Sequence, residues 1–172
     1  MDKQETMVIL AAIKAAYPNA FKDIDAETTV NVWHRQLSDL NTRLVAAAVD
    51  ALINTNKFPP AISEIRERVY QITHPGELSA DEAWGMTLEA VRNYGHYRQT
   101  EGLASLPERV RKVAEWMGWD ALCMAETDKI GVERGQFIKL YNARSEREKE
   151  HEMLPASLRE MIGQISQKLL PR

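Results

Sequence analysis

The sequence predicts an all-α fold: a small N-terminal helical bundle, a second helical domain and a C-terminal amphipathic helix. Apolar residues recur at three- and four-residue spacing through most of the 172 residues, and the alternation typical of strands is almost missing. Prolines, glycines and capping residues lie between the periodic segments, where helices would begin and end. With 44% hydrophobic and 27% charged residues, the composition is typical of a globular protein.

Four helices are expected in residues 1–73. Pro18 ends the first, because proline lacks an N–H and clashes with the preceding turn. The second helix carries Trp33 on its apolar face, and Pro59-Pro60 imposes an extended connection before the fourth. Candidate N-caps for the second and third helices are Asp25 and either Asn41 or Asp39.

The segment from Thr73 to Glu77 is the expected domain boundary, because its adjacent proline and glycine favour a turn. Two capping boxes are predicted beyond it, in which a serine and a glutamate bond each other's backbone N–H groups. These boxes are Ser79 with Glu82 and Ser105 with Glu108. The predicted domains are residues 1–73, residues 77–152 and a tail of residues 153–172.

A long helix is predicted from about Val132 to Glu152, buried through Phe137, Ile138 and Tyr141. Pro155 breaks it, and the last segment, Ala156 to Leu169, has one apolar face. Such a face either packs on the protein's own core or lies in an apolar groove of a partner. The candidate partner-binding residues are Leu158, Met161, Ile162, Ile165 and Leu169.

The motifs of common enzyme and metal sites are missing from the sequence. No closely spaced glycines precede a Lys-Ser or Lys-Thr pair, as a phosphate-binding loop requires. The four histidines are dispersed, and the single cysteine, Cys123, has no second thiol at finger-like spacing. We therefore predict no catalytic, cofactor-binding or metal-binding residue, and a protein that is not an enzyme.

A cytoplasmic location is expected. One cysteine allows no internal disulfide, which fits a reducing compartment. The first residues lack the basic and then apolar layout of a signal peptide. No apolar run approaches the roughly 20 residues that span a bilayer, so no membrane partner is expected.

Tyrosines and basic residues in the second domain form a possible nucleic-acid surface. Aromatic rings could stack on bases, and the cations could pair with phosphates. The alternative is that the tyrosines pack over the domain while neighbouring glutamates dilute the basic cluster. The net charge of −3 gives no general attraction to nucleic acid, so weak or no direct binding is expected. The residues concerned are Tyr94, Tyr97, Arg98, Arg109, Arg111 and Lys112.

Residues 3–73 resemble the N-terminal domain of the phage helicase loaders. The resemblance is carried by Ala16-Tyr17-Pro18, Phe21-Lys22-Asp23, Val30-Asn31-Val32-Trp33-His34 and Asn54-Thr55-Asn56-Lys57-Phe58-Pro59-Pro60. Within these, the family-motif residues are Trp33, His34, Asn56, Lys57, Phe58, Pro59 and Pro60. Through Leu106-Pro107-Glu108-Arg109-Val110 and Gln136-Phe137-Ile138-Lys139, residues 78–152 resemble extended prophage versions of the same family.

The resemblance implies a phage DNA replication accessory protein that binds a DnaB-type replicative helicase hexamer in the cytosol of the bacterial host. It implies inhibition of the helicase until it is delivered to an origin-bound phage initiator. In this family the C-terminal part is the helicase-binding end. The alternative is a DNA-binding replication accessory or initiator protein that uses the tyrosines and basic residues of the second domain.

Overall fold

The computed structural model describes residues 1–22, 24–125 and 130–169. All regular elements in these ranges are helical, which confirms the all-α prediction. In chain order they are α1 (Lys3–Ala16), α2 (Ala26–Leu37), α3 (Thr42–Thr55), α4 (Ile62–Thr73), α5 (Ala80–Tyr94), a 3₁₀ turn (His96–Arg98), α6 (Gln99–Ala104), α7 (Glu108–Met117), α8 (Trp119–Met124), α9 (Ile130–Met153) and α10 (Ala156–Leu169).

The chain forms two compact units. The first comprises Met1–Pro75 together with the residues from Glu150 onward, and the second comprises Gly76–Lys149. The last turn of α9 and all of α10 therefore belong to the first unit. The predicted domains, 1–73, 77–152 and 153–172, stay predictions.

Capping side chains stabilise the N-terminal ends of α2 and α3. The carboxylate of Asp25 accepts the N–H of Thr28 at 2.8 Å, and the side chain of Asn41 accepts the N–H of Arg43 at 2.9 Å. These contacts satisfy backbone donors that have no partner within their own helix. Both N-caps agree with the sequence prediction, which left Asn41 and Asp39 open for α3. Asp23, part of the quoted family resemblance, lies outside the described residues.

The core of the first unit is apolar and is supplied by α1 to α4. Removing these side chains from water is the main favourable contribution to folding. The fully buried apolar side chains include Ile13, Leu37, Val45, Ala48 and Ile65.

The second unit begins as predicted and then departs from the prediction at α7. Ser79 and Glu82 form the expected capping box at the start of α5. The predicted box at Ser105 and Glu108 is wrong. Ser105 is the C-cap of α6, and its hydroxyl donates to the carbonyl of Gly102 at 2.7 Å. It is therefore not the N-cap of α7. Pro107 is the N-cap of α7 and offers no side-chain acceptor.

Two buried aromatic residues organise the second unit. Trp119 is 1% exposed, and its indole N–H donates to the carbonyl of Gly95 at 3.0 Å. Phe137 on α9 is fully buried, and its ring centroid lies 5.3 Å from that of Trp84. The buried indole N–H of Trp119 needs a hydrogen-bond acceptor, and the carbonyl of Gly95 at the end of α5 provides it.

Candidate protein-binding surface

The Asn-Lys-Phe-Pro-Pro segment is held by hydrogen bonds from the end of α1 and from the first turn of α4. The hydroxyl of Tyr17, at the end of α1, donates to the carbonyl of Asn56 at 2.9 Å. The side-chain amide of Asn56 donates to Glu64 at 3.2 Å, and the other carboxylate oxygen of Glu64 accepts the N–H of Ala61 at 2.6 Å. With Pro60 buried, these contacts fix the connection from α3 to α4.

The middle of the same segment faces solvent. Lys57, Phe58 and Pro59 are exposed, and Phe58 is 78% exposed. The two ends of this segment are therefore fixed by contacts within the first unit, while its aromatic side chain is exposed to solvent.

Trp33 and His34 make their contacts inside the helical bundle. Trp33 is buried, and the ring of Phe21 meets it edge to face with centroids 5.5 Å apart. The Nδ1 atom of His34 lies 3.3 Å from the hydroxyl of buried Thr6 on α1. His34 thus helps to hold α1 against α2, while Trp33 joins the bundle core.

The apolar face of α10 is displayed rather than covered within the described residues. Leu158, at the start of the helix, is half-buried. The other four candidates are exposed: Met161 by 52%, Ile162 by 44%, Ile165 by 48% and Leu169 by 75%. An exposed row of aliphatic side chains at helical spacing is the form in which amphipathic helices enter a partner's groove.

An arginine on α4 forms a buried ion pair that the sequence reasoning missed. The guanidinium of Arg66 bonds both carboxylate oxygens of Asp39, at 2.8 and 3.0 Å. The side chains are 5% and 15% exposed. Two parallel N–H···O bonds make this the stronger, geometrically specific form of the pair.

The same two side chains satisfy backbone groups at the ends of three helices. Arg66 also donates to the carbonyl of Gln36 near the end of α2 and to those of Met153 and Leu154 at the end of α9. Asp39 accepts the N–H of Ala156, the first residue of α10, at 3.1 Å. A cation at helix C-termini and an anion at a helix N-terminus both complement the helix dipole.

Asp39 is held in its ionised form. Burial by itself would raise the pKa of its carboxyl group. The hydrogen bonds and the charge of Arg66, with the N–H of Ala156, outweigh burial and hold that pKa below its usual value. The pair is therefore intact at neutral pH.

A sequence signal for Arg66 does exist. Arg66 follows Ile65 and precedes Val69 by three positions, so it lies on the inward side of an amphipathic helix. A charged residue at such a position requires a buried partner. The periodicity gives no indication of which carboxylate that partner is.

The basic side chains of the possible nucleic-acid surface are paired with carboxylates. Arg98 lies 2.7 Å from Glu101 and over the ring of Tyr94, whereas Tyr97 is 98% exposed. Lys112 lies 2.5 Å from Glu108, and Arg111 lies 3.9 Å from Glu115. The surface offers an exposed aromatic ring but cations whose charge is already balanced.

Arg109 forms ion pairs and a hydrogen bond with three side chains of the second unit. It bonds Glu148 at 2.6 Å and Glu77 at 3.0 Å, with Ser145 at 3.1 Å. Burial alone would lower its pKa, but the bonds to these glutamates and to Tyr141 hold it above its usual value. Its guanidinium therefore joins the start of the unit to α9.

We expect this surface to bind single-stranded DNA weakly at most. The carboxylates beside these cations repel phosphates, so binding would neutralise few phosphates and release few of the counterions of the DNA. The measurement is fluorescence anisotropy of a labelled oligonucleotide across a salt series. Micromolar or tighter binding that weakens steeply with salt would contradict the expectation and favour the DNA-binding alternative.

The described residues define a helical module that displays an apolar helix face. They contain no group of three His, Cys, Asp or Glu side chains arranged to hold a metal ion. Within the same residues, no helix has the length and apolar character needed to cross a membrane.

Comparison with known families identifies part of this module. Residues 1–66 match the family model for the N-terminal domain of a phage helicase loader/inhibitor. The match confirms the resemblance over those residues. Neither characterised proteins nor solved structures gave a match to the chain. The resemblance of residues 78–152 to extended prophage versions stays a prediction.

Proposed function

We propose that this protein binds a DnaB-type replicative helicase hexamer, inhibits it and delivers it to an origin-bound phage initiator in the bacterial host cytosol. The observation that carries the proposal is the match of residues 1–66 to the helicase loader/inhibitor domain. The exposed apolar face of α10 supports it by offering a surface for the helicase. The protein acts by contact and contributes no catalytic residue.

Inhibition follows if the helicase is bound in one conformation only. A ligand shifts a conformational equilibrium by its difference in affinity for the two states. A loader that prefers a helicase state unable to hydrolyse ATP or hold DNA productively lowers the population of the active state. Transfer to the initiator then releases the helicase from that state.

Replacing Ile165 by aspartate is expected to weaken helicase binding by about tenfold or more. Burying an aliphatic side chain of this size contributes roughly 1.5–3 kcal/mol, and a carboxylate in its place would have to lose its hydration. The measurement is binding of the full-length protein to the host's purified replicative helicase, by calorimetry or surface plasmon resonance.

The matched control is Gln167→Asp, an exposed position on the opposite side of the same helix. It adds the same charge near the same helix end and should leave binding unchanged. Equal loss in both variants would show that charge on α10, rather than its apolar face, decides binding. If wild-type protein does not bind the helicase at all, the proposed function is wrong.

A further inference from the structure

We propose that Arg66 is a positioning residue for helicase binding: its ion pair with Asp39 anchors the start of α10, so that the apolar face is presented already folded. The inference rests on the proposed function for its consequence in binding. The anchor itself follows from contacts within the first unit.

The start of α10 depends on a side chain far away in the sequence. Pro155 precedes the helix and has no side-chain acceptor for the free N–H groups of its first turn. Asp39, which is 117 positions before Ala156, accepts the first of them. An isolated 14-residue helix is marginal in water, and most residues of α10 are exposed. Contacts at its first turn therefore decide whether it forms.

Arg66 supplies the other half of the anchor. Its bonds to the carbonyls of Met153 and Leu154 hold the segment that immediately precedes α10. A second polar contact in this region places a carboxylate oxygen of Glu152 3.3 Å from Nε2 of His74, and both side chains are more than a third exposed. Exposed pairs contribute little, so the buried guanidinium is the stronger of these two polar attachments.

A preformed helix binds more tightly than one that must fold on its partner. Ordering a segment during binding takes up part of the interaction free energy. Releasing α10 from its anchor should therefore weaken helicase binding by roughly 10- to 100-fold without changing any residue of the apolar face.

The test compares Arg66→Met with Arg43→Met in the full-length protein. Arg43 lies near the start of α3, outside the anchor, so its replacement controls for the loss of one positive charge. Hydrogen exchange measured by mass spectrometry should become faster in peptides from Ala156 to Leu169 in the Arg66 variant only. Helicase affinity should fall in the same variant. If Arg66→Met unfolds the first unit, Asp39→Asn removes the charge but keeps an acceptor, and the same changes are expected in smaller degree.

A second substitution separates preorganisation from simple loss of structure. A Cβ added at Gly163, in the middle of α10, meets nothing within 4 Å. Gly163→Ala raises helix propensity there without touching the anchor. It should recover part of the helicase affinity of Arg66→Met, while changing the affinity of the wild-type protein little.

Three results would overturn the inference or part of it. Unchanged exchange in α10 of a folded Arg66→Met variant would refute the anchor, whatever binds to the helix. Faster exchange with unchanged helicase affinity would refute preorganisation and leave the proposed function standing. A wild-type protein that binds no helicase would refute the proposed function and the consequence for binding, while the exchange data would still decide the anchor.

Discussion

Replacing Phe137 by alanine is expected to destabilise the second unit by about 3–5 kcal/mol, the range for removing a large buried aromatic side chain. Phe137 is fully buried, and its ring lies 5.3 Å from that of Trp84 and 6.1 Å from that of Tyr141. Among the described residues of α9, only Phe137 and Tyr141 are buried. These two side chains therefore place α9 in the buried core of that unit, and Ile130 and Leu140 pack against the same core.

The measurement is urea unfolding followed by far-UV circular dichroism, with hydrogen exchange to assign the loss to residues 76–149. Gln136→Ala is the matched control, because Gln136 is the exposed neighbour on the same helix. Its effect should remain within about 0.5 kcal/mol, as is usual for surface positions. A similar stability for the two variants would show that α9 is held by something other than the aromatic contact.

Replacing Gly102 by alanine is expected to destabilise the same unit, although it adds only one methyl group. A Cβ at this position would lie 2.5 Å from two ring carbons of Trp119 and 3.2 Å from the Cβ of Tyr94. The indole cannot easily move, because it is buried and bonded to the carbonyl of Gly95. Overpacking of this kind costs about 1–3 kcal/mol, and the rigid ring places the expected value at the upper end.

The same substitution at Gly85 should have the opposite sign. Gly85 is exposed inside α5, and an added Cβ meets nothing within 4 Å. Alanine is favoured over glycine in helix interiors by roughly 0.5–1 kcal/mol, so Gly85→Ala should stabilise the unit slightly. Denaturant midpoints of the two variants on either side of the wild-type value would support both predictions. Equal midpoints would refute the close approach at Gly102.

Helix ends that depend on neighbouring residues were predictable from the sequence. Asp25, Asn41 and Ser79 cap their helices through N–H groups only two or three positions away. Ser105 shows the limit of that reasoning. Its hydroxyl can serve the end of α6 or the start of α7, and the pattern alone favoured the wrong one.

The Arg66 anchor could not be derived from local pattern. Its two charged groups are 27 positions apart, and the carbonyl of Leu154 that it holds is 88 positions away. Such pairs depend on tertiary packing, which periodicity does not specify. The inward position of Arg66 predicts that a buried partner exists, but not its identity.

The sequence also left open whether the apolar face of α10 is buried in the protein's own core or exposed to a partner. The same spacing of Leu158, Met161, Ile162, Ile165 and Leu169 suits a core helix and a docking helix. Exposure of the last four is a property of the folded first unit. Whether a helicase covers them is the question that Ile165→Asp and Gln167→Asp address.

The long sequence separation within the anchor has a consequence during translation. Asp39 and Arg66 leave the ribosome well before Ala156, by roughly 5 to 20 s at ordinary elongation rates. Helices α1 to α4 therefore have time to fold before Ala156 is made, and α10 gains its cap from Asp39 only after residues 67–155 have been synthesised. A nascent chain would then hold the Asp39 and Arg66 side chains in place before α10 exists, so that α10 could fold directly onto a prepared attachment site.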